Sequence, residues 1–194
     1  MSDLISIITC VRNSEKYLQE CLESIEAQNY DHGQLELSIY DDGSSDRSLD
    51  IINSWYNRYR LSNNDGIRLI INSNPEKDQP KGVGGAKNRA IAQSNGNYLC
   101  FFDSDDIMHA DRISKQYELC KRNPDCIVGC KVKRIPENST QRYMEWVNNL
   151  TADQLTKQVY TCFGPTILMP TWFCTRKCFD KIGAFDDSDP KGVP

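Results

Sequence analysis

Phe101 and Phe102 are followed directly by Asp103, Ser104, Asp105 and Asp106, so an apolar run over residues 98–102 ends in three carboxylates and one hydroxyl. Carboxylates this close repel one another unless a cation neutralises them, and a divalent ion escorting a phosphate is the usual neutraliser. Asp also caps helices well, so these four residues alone fit a solvated acidic turn equally. A second apolar run ends the same way, in Tyr40-Asp41-Asp42-Gly43-Ser44-Ser45-Asp46. Two acidic strand ends at one sheet edge exceed what capping requires, because their repulsion calls for a compensating partner. A third stretch, Lys81-Gly82-Val83-Gly84-Gly85-Ala86-Lys87-Asn88-Arg89, joins glycines that admit a ligand close to the backbone with the cations Lys87 and Arg89, a combination suited to an anion. It has neither the spacing of a Walker loop nor that of a dinucleotide fingerprint. The histidines His32 and His109 fall in a turn and at a helix start, with no hydroxyl or thiol partner implied, so no nucleophilic triad is visible.

The elements that must position these residues follow from periodicity. Strands are predicted at residues 4–11, 36–40, 67–71 and 98–102, with helices at about 15–28, 46–60 and from the glycine-rich turn to about 96. The first helix places Leu18, Cys21, Leu22 and Ile25 on one face, with Asn13 or Ser14 as its cap. A βαβαβαβ series implies an α/β fold with a mainly parallel sheet between helices, joined by right-handed crossovers. All four strands then present their carboxyl ends on one side, where the loops 9–13, 41–45 and 103–106 converge and where such sheets bind ligands. A helix over about 110–122, ended by Asn123-Pro124, leads to a predicted strand at 126–132, and the character of the chain changes from residue 133. Beyond it come a helical stretch with Tyr143, Trp146, Val147 and Leu150, an apolar segment between Pro165 and Pro170, and a helix over 176–182.

Composition narrows the function classes. A net charge of −4 argues against a general nucleic-acid binder, because phosphate backbones are held by an excess of Lys and Arg. No apolar run is long enough to span a bilayer. Nine cysteines fit free thiols acting as small hydrophobes: Cys10 and Cys100 lie in strand-like runs, Cys21 and Cys120 on helical faces. The pairs Cys126/Cys130 and Cys174/Cys178 lack the histidines of a zinc site. The first strand starts at residue 4 with no leader before it, so the expected location is the cytoplasm, with the sequons at Asn138 and Asn149 idle.

Four motifs in order carry a family resemblance: Ser6-Ile7-Ile8-Thr9 with Arg12-Asn13 and Tyr17-Leu18, then Tyr40 to Asp46, then Gly85-Ala86-Lys87-Asn88, then Phe102-Asp103-Ser104-Asp105-Asp106. Together they resemble the inverting family 2 glycosyltransferases of GT-A fold, and Gly164-Pro165-Thr166 with Met169-Pro170-Thr171-Trp172-Phe173 resembles its β-1,3-N-acetylglucosaminyltransferase-like members. The resemblance implies a nucleotide-sugar-binding half at 1–132 and a partial acceptor-side region at 133–194 of one GT-A domain. It implies a UDP-sugar donor, N-acetylglucosamine as the sugar, and a glycan or other hydroxyl acceptor. Thr9, Val11, Arg12, Asp41, Asp42, Lys87, Asp103, Ser104 and Asp105 would contact the donor. Asp105 and Asp103 would hold Mn²⁺ or Mg²⁺, and Asp106 would support the cluster. Lys87 stands where many relatives carry Arg, which keeps charge but loses a bidentate fork.

The family's base follows a Gly-x-Phe segment, here Gly183-Ala184-Phe185-Asp186-Asp187, and is expected beyond Pro194. Asp186, Asp187 and Asp189 read as surface-turn residues. The chain is thus expected to be a shortened relative with a donor site and impaired transfer. The alternatives are a non-catalytic UDP-sugar-binding module and a nucleotidyltransferase, the latter needing a basic glycine-rich loop after the first strand that Val11-Arg12-Asn13-Ser14 does not supply.

Overall fold

A computed structural model describes residues 3–62, 66–75, 79–136, 139–161 and 167–188. The motif Gly164-Pro165-Thr166, together with Asn138, Cys162 and Asp189 to Pro194, lies outside the described residues. In chain order the elements are β1 (Ile5–Val11), α1 (Leu18–Glu26), β2 (Leu35–Asp41), α2 (Ser48–Ser62), β3 (Arg68–Ser73), α3 (Gly82–Gln93), β4 (Tyr98–Phe101) and α4 (Arg112–Arg122). Then follow α5 (Gln141–Asn148), α6 (Ala152–Thr161), β5 (Phe173–Thr175) and α7 (Arg176–Ile182).

The sheet has the order β3-β2-β1-β4-β5, with the first four strands parallel and β5 antiparallel to β4. Strand order reverses at β1: β2 and β3 build out on one side of it, β4 on the other. Ligands of open α/β sheets bind at such a switch point, outside the carboxyl ends of the strands. β1 and β2 are buried along almost their whole length because each face of the sheet is covered. Ile5, Ile7 and Val11 pack with Leu18, Leu22, Ile25, Ile52, Trp55 and Ile113 on one side. Ile8, Leu99 and Phe101 pack with Ala86, Ala90, Ile91, Cys174 and Phe179 on the other.

At the amino ends, a polar knot sets the register. Glu36, 1% exposed, accepts from Ser6 Oγ at 2.8 Å, from Asn95 N at 2.7 Å and from Asn95 Nδ2 at 3.0 Å. A Cβ on Gly96 would lie 2.5 Å from Ser6 Oγ and 2.8 Å from Leu4 O, so only glycine lets the turn into β4 approach β1 this closely.

Several boundaries differ from expectation. α1 begins at Leu18, three residues after the predicted start, because Ser14 to Tyr17 form a turn whose carbonyl at Ser14 accepts from Tyr17 N and Leu18 N. Neither Asn13 nor Ser14 caps α1 through its side chain. The glycine-rich stretch is not a turn ahead of a helix but the first turns of α3 itself. The predicted strand at 126–132 reduces to one bridge, Val128 to Phe173, and the sheet is extended instead by the short β5.

Candidate functional site

Three loops meet at the carboxyl edge, and hydrogen bonds stitch them together. After β1, Asn13 takes a left-handed backbone (φ 51°), an asparagine-tolerant conformation, and its Oδ1 accepts from Ser45 N at 2.9 Å. Asn13 N donates to Ser44 Oγ at 3.0 Å, Ser14 N to Ser48 Oγ at 2.9 Å and Glu15 N to Asp46 Oδ2 at 2.9 Å. The polar residues that looked like caps for α1 thus bind the β1 loop to the start of α2. Ser14 Oγ and Ser104 Oγ, 2.8 Å apart, then join the β1 loop to the loop after β4.

Between these loops lies a cleft of about 480 Å³, lined by Cys10 to Ser14, Tyr17, Asp42, Pro80, Gly82, Val83, Ala86 and Asp103 to Asp105. Of the nine sequence-predicted donor contacts, Val11, Arg12, Asp42, Asp103, Ser104 and Asp105 line it; Thr9, Asp41 and Lys87 do not. Thr9 is 1% exposed on β1, and its Oγ1 has no partner among the described residues. Asp41, equally buried, accepts from Ser44 N and so holds the turn after β2. Asp42 reaches the cleft while its Oδ1 accepts from Lys81 N at 2.8 Å and Asn74 Nδ2 at 3.2 Å, and its Oδ2 from Gly82 N at 3.0 Å. One carboxylate therefore both caps α3 and faces the cleft.

Lys87 departs most from expectation. Its ammonium is buried beneath the acidic loop, not offered to an anion in solvent: Nζ lies 2.5 Å from Asp103 Oδ1 and 3.7 Å from Cys10 Sγ, with the side chain 1% exposed. Its position on α3 between Ala86 and Ala90, both packed against the sheet, turns it inward. Arg89 lies across the helix surface, donating to Gly85 O and standing 3.9 Å from Asp187.

With Asp103 neutralised from below, negative charge remains above. Asp105 is exposed and forms no hydrogen bond or ion pair among the described residues. Packing of the chain around Asp106, and then repulsion by Asp103 and Asp105, push its carboxyl up to about 6. The donor set is all oxygen, which suits a hard cation. Among the described residues no group of three or more His, Cys, Asp or Glu could hold an ion by itself. An all-protein cage is therefore not built, whereas a Mg²⁺-type or Mn²⁺-type ion that takes one or two carboxylates and completes its shell from substrate phosphates and water fits these residues.

Some contributors escaped sequence reasoning. Arg112, 9% exposed, donates through Nη2 to Phe101 O at 2.8 Å and to Pro170 O at 2.9 Å, with Nε on Gln116 Oε1. It ties the end of β4, the strand carrying the acidic loop, to the segment before β5. Such side-chain to backbone links join residues far apart in sequence and leave no local pattern. Asp186 and Asp187 sit at the surface as expected, Asp186 accepting from Ser188 N at 3.0 Å and Ser188 Oγ at 2.7 Å. Those two bonds hold its carboxyl below the usual carboxylate range, unlike a general base poised near neutrality.

The chain resembles proteins whose roles are named. It is 32% identical over 161 residues to the poly(ribitol-phosphate) beta-glucosyltransferase of Bacillus spizizenii, covering 83% of this chain and 24% of that protein. The crystal structure of S. aureus TarS 1-349 in complex with UDP-GlcNAc aligns with a TM-score of 0.58 and 26% identity, over 67% of this chain and 34% of that one. The mannosyltransferase PcManGT of Pyrobaculum calidifontis, solved with GDP-Man and Mn2+, shares the fold at a TM-score of 0.69 and 19% identity, over 95% of this chain and 48% of that one. The chain therefore spans between about a quarter and half the length of these relatives. Residues 6–183 match the description Glycosyl transferase family 2, and the α/β sheet with its carboxyl-edge cleft agrees with that match: the chain belongs to glycosyl transferase family 2.

Proposed function

We propose that this chain binds a UDP-sugar, with N-acetylglucosamine as the sugar, and transfers it to a hydroxyl group of a glycan or similar acceptor with inversion. The observation that carries the reading is the convergence of Asp42, Arg12 and the Asp103 to Asp105 loop on one cleft at the switch point of the sheet. It is supported by family membership and by the likeness to a glycosyltransferase solved with UDP-GlcNAc.

Asp42 and the residues 11–14 hold the nucleoside end. Asp42 is fixed by three donors, so it meets a base N–H without reorganising, and preorganised acceptors lose less on binding. Thr9, whose Oγ1 has no partner among the described residues, and Asp41 support this end from beneath. Arg12 brings positive charge to a cleft otherwise rich in carboxylates. Asp105, aided by Asp103, would hold Mn²⁺ or Mg²⁺, which when bound neutralises the diphosphate and makes it a better leaving group. Lys87 pairs with Asp103 and so offsets part of the repulsion within the acidic loop. The sugar is displaced when an acceptor oxygen attacks the anomeric carbon from the face opposite the leaving diphosphate, with the hydroxyl proton passing to a carboxylate.

A donor screen by thermal denaturation tests this. UDP-sugars with Mn²⁺ are expected to raise the melting temperature in a concentration-dependent way, UDP-GlcNAc most, with GDP-sugars and ADP-sugars giving less. No shift with any UDP-sugar would remove the reading.

A further inference from the structure

The two cysteine pairs that stand four residues apart in the sequence, Cys126/Cys130 and Cys174/Cys178, take no part in lining the cleft. The fold pairs them differently. Residues 123–126 form a reverse turn in which Cys126 N donates to Asn123 O at 3.2 Å, and Asn123 N donates to Cys120 O at 3.0 Å, so the chain folds back over the end of α4. Two links fasten α7 to that turn. Thr175 Oγ1 donates to Pro124 O at 2.7 Å, and Lys181 Nζ lies 2.6 Å from Asp125 Oδ1. Thr175, Cys178 and Lys181 follow at steps of three, which is one stripe of a helix, so Cys178 sits on the face that carries both links. Its own N–H donates to Thr175 Oγ1 at 3.0 Å, which fixes the first turn of α7 against Pro124.

The electrostatics agree with that placement. Burial first, then Asp125 and Cys126, raise the Cys178 thiol. Burial, then Cys178 with Cys126 adding to it, raise Cys120 to about 11 against a hydrogen bond from the Thr175 backbone. Cys178 therefore neighbours both of the other thiols, with Cys126 exposed above it and Cys120 fully buried below. Cys130 goes elsewhere, beside Arg112 and Asp106. All these thiols are free, and among the described residues no group of three or more could hold a metal ion, so sulfur–sulfur chemistry is what the arrangement suits. We propose that Cys126 and Cys178 are a modification site, a thiol pair that closes into a reversible disulfide by exchange with a low-molecular-weight disulfide of the glutathione class. In the first step the exposed Cys126 thiolate attacks one sulfur of the oxidant, forming a mixed disulfide and releasing one thiolate. In the second, the Cys178 thiolate attacks the Cys126 sulfur and expels the other half of the oxidant. Two protein thiols are oxidised, one external disulfide is reduced to two thiols, and the two protons pass to the released thiolates. Neither donor nor metal takes part. Closure joins the end of α4 to α7 and encloses β5, the three-residue edge strand of the sheet.

The test equilibrates the full chain, wild type and Cys126→Ser, with oxidised glutathione in native buffer and in urea, then maps the linkages by mass spectrometry after the free thiols are blocked. Cys126→Ser changes an exposed side chain, so its reduced form should melt with the reduced wild type. Native wild type is expected to yield the Cys126–Cys178 linked peptide, and Cys126→Ser to leave Cys178 reduced. Closure should raise the melting temperature by about 5–10 °C, and dithiothreitol should reverse the rise. Because Cys178 is held largely as the thiol, the closing step should quicken as pH rises from 7 to 9. A glutathione adduct at Cys126 that never closes overturns the proposal, as does linkage of Cys126 to Cys120 or Cys130. A native protein that gives the same mixture of linkages as the chain in urea overturns it too, because the pairing would then owe nothing to the fold.

Discussion

Lys87 Nζ lies 2.5 Å from Asp103 Oδ1, an ion pair with one partner buried beneath the sheet edge and the other 28% exposed in the cleft. The pairing explains how three carboxylates coexist at one strand end: one is neutralised from within the fold, leaving Asp105 open to the cleft. Removing one partner of a buried pair strands the other, at a cost of roughly 3–5 kcal/mol. Lys87→Ala should lie near the low end, about 3 kcal/mol, because water can reach the Asp103 left behind. Lys87→Arg adds volume to a filled site and is expected to cost about 1–3 kcal/mol. Urea denaturation measures both; an Arg variant more stable than wild type would show the site to be looser than its geometry indicates.

Glu36 sits at the opposite edge of the sheet and should matter for stability alone. Glu36→Ala leaves Ser6 Oγ–H, Asn95 N–H and the Asn95 amide without their acceptor, a loss of about 3 kcal/mol given roughly 1–3 for each buried group left unpaired, partly relieved by water. UDP affinity should be unchanged once the protein is folded. A variant that keeps its stability but loses UDP would contradict this division of the sheet into a structural edge and a binding edge.

Asp46 links the loop after β1 to the start of α2, accepting from Glu15 N and Ser48 N. Slight burial pushes its carboxyl up, but hydrogen bonds from the Ser48 side chain and from the Glu15 and Ser48 backbone N–H groups outweigh it, so the folded protein holds this carboxyl below the usual value. A depressed folded pKa means that the unfolded chain binds the proton more tightly, so the contribution is complete above the unfolded value of about 3.9 and disappears as pH falls through the folded one. The stability gap between wild type and Asp46→Ala should therefore be constant from pH 7 to pH 5 and close below about pH 4. A gap that persists unchanged at pH 2 would mean that Asp46 acts through packing, not charge.

The thiols should divide by burial. Burial pushes Cys21 and Cys100 up, and burial together with the neighbouring Cys178, Cys120 and Cys100 raises Cys174 to about 12, whereas Cys126 is exposed. Because the thiolate is the reactive species, an alkylating reagent at pH 7 should label Cys126 in the native protein and reach Cys21, Cys100 and Cys174 only on unfolding. Peptide mapping by mass spectrometry reads the result. Equal labelling of Cys100 and Cys126 under native conditions would contradict the packing of β4.

Much of this architecture is legible along the chain, because parallel strands buried on both faces write continuous apolar runs and their carboxyl ends stand out as acidic turns. Asp42, Asp103 and Asp105 are found that way. What local pattern cannot carry is the partner of a polar group. Asn13 and Ser14 look like caps for the helix they precede, yet they bind the loop after β2, some thirty residues on. Lys87 looks like an anion-binding cation because glycines surround it, but the helical phase of α3 turns it towards Asp103. The run at 126–132 has strand composition, while the edge position is taken by β5, whose three residues are too few to announce themselves. Arg112 and Asn88 act on backbone atoms 11 and 97 residues away, and nothing in their sequence surroundings signals it.

The central claim is that the cleft at the ends of β1, β2 and β4 is a metal-assisted UDP-sugar site in which Asp105 is the open carboxylate. Calorimetric titration of UDP into wild type and Asp105→Ala, each with and without Mn²⁺, tests it most directly. Wild type should bind UDP more tightly with Mn²⁺ than without, and Asp105→Ala should lose the Mn²⁺-dependent part, at least about tenfold in affinity or about 1.4 kcal/mol, while keeping the fold. Equal, Mn²⁺-dependent affinity in the two proteins would contradict the account.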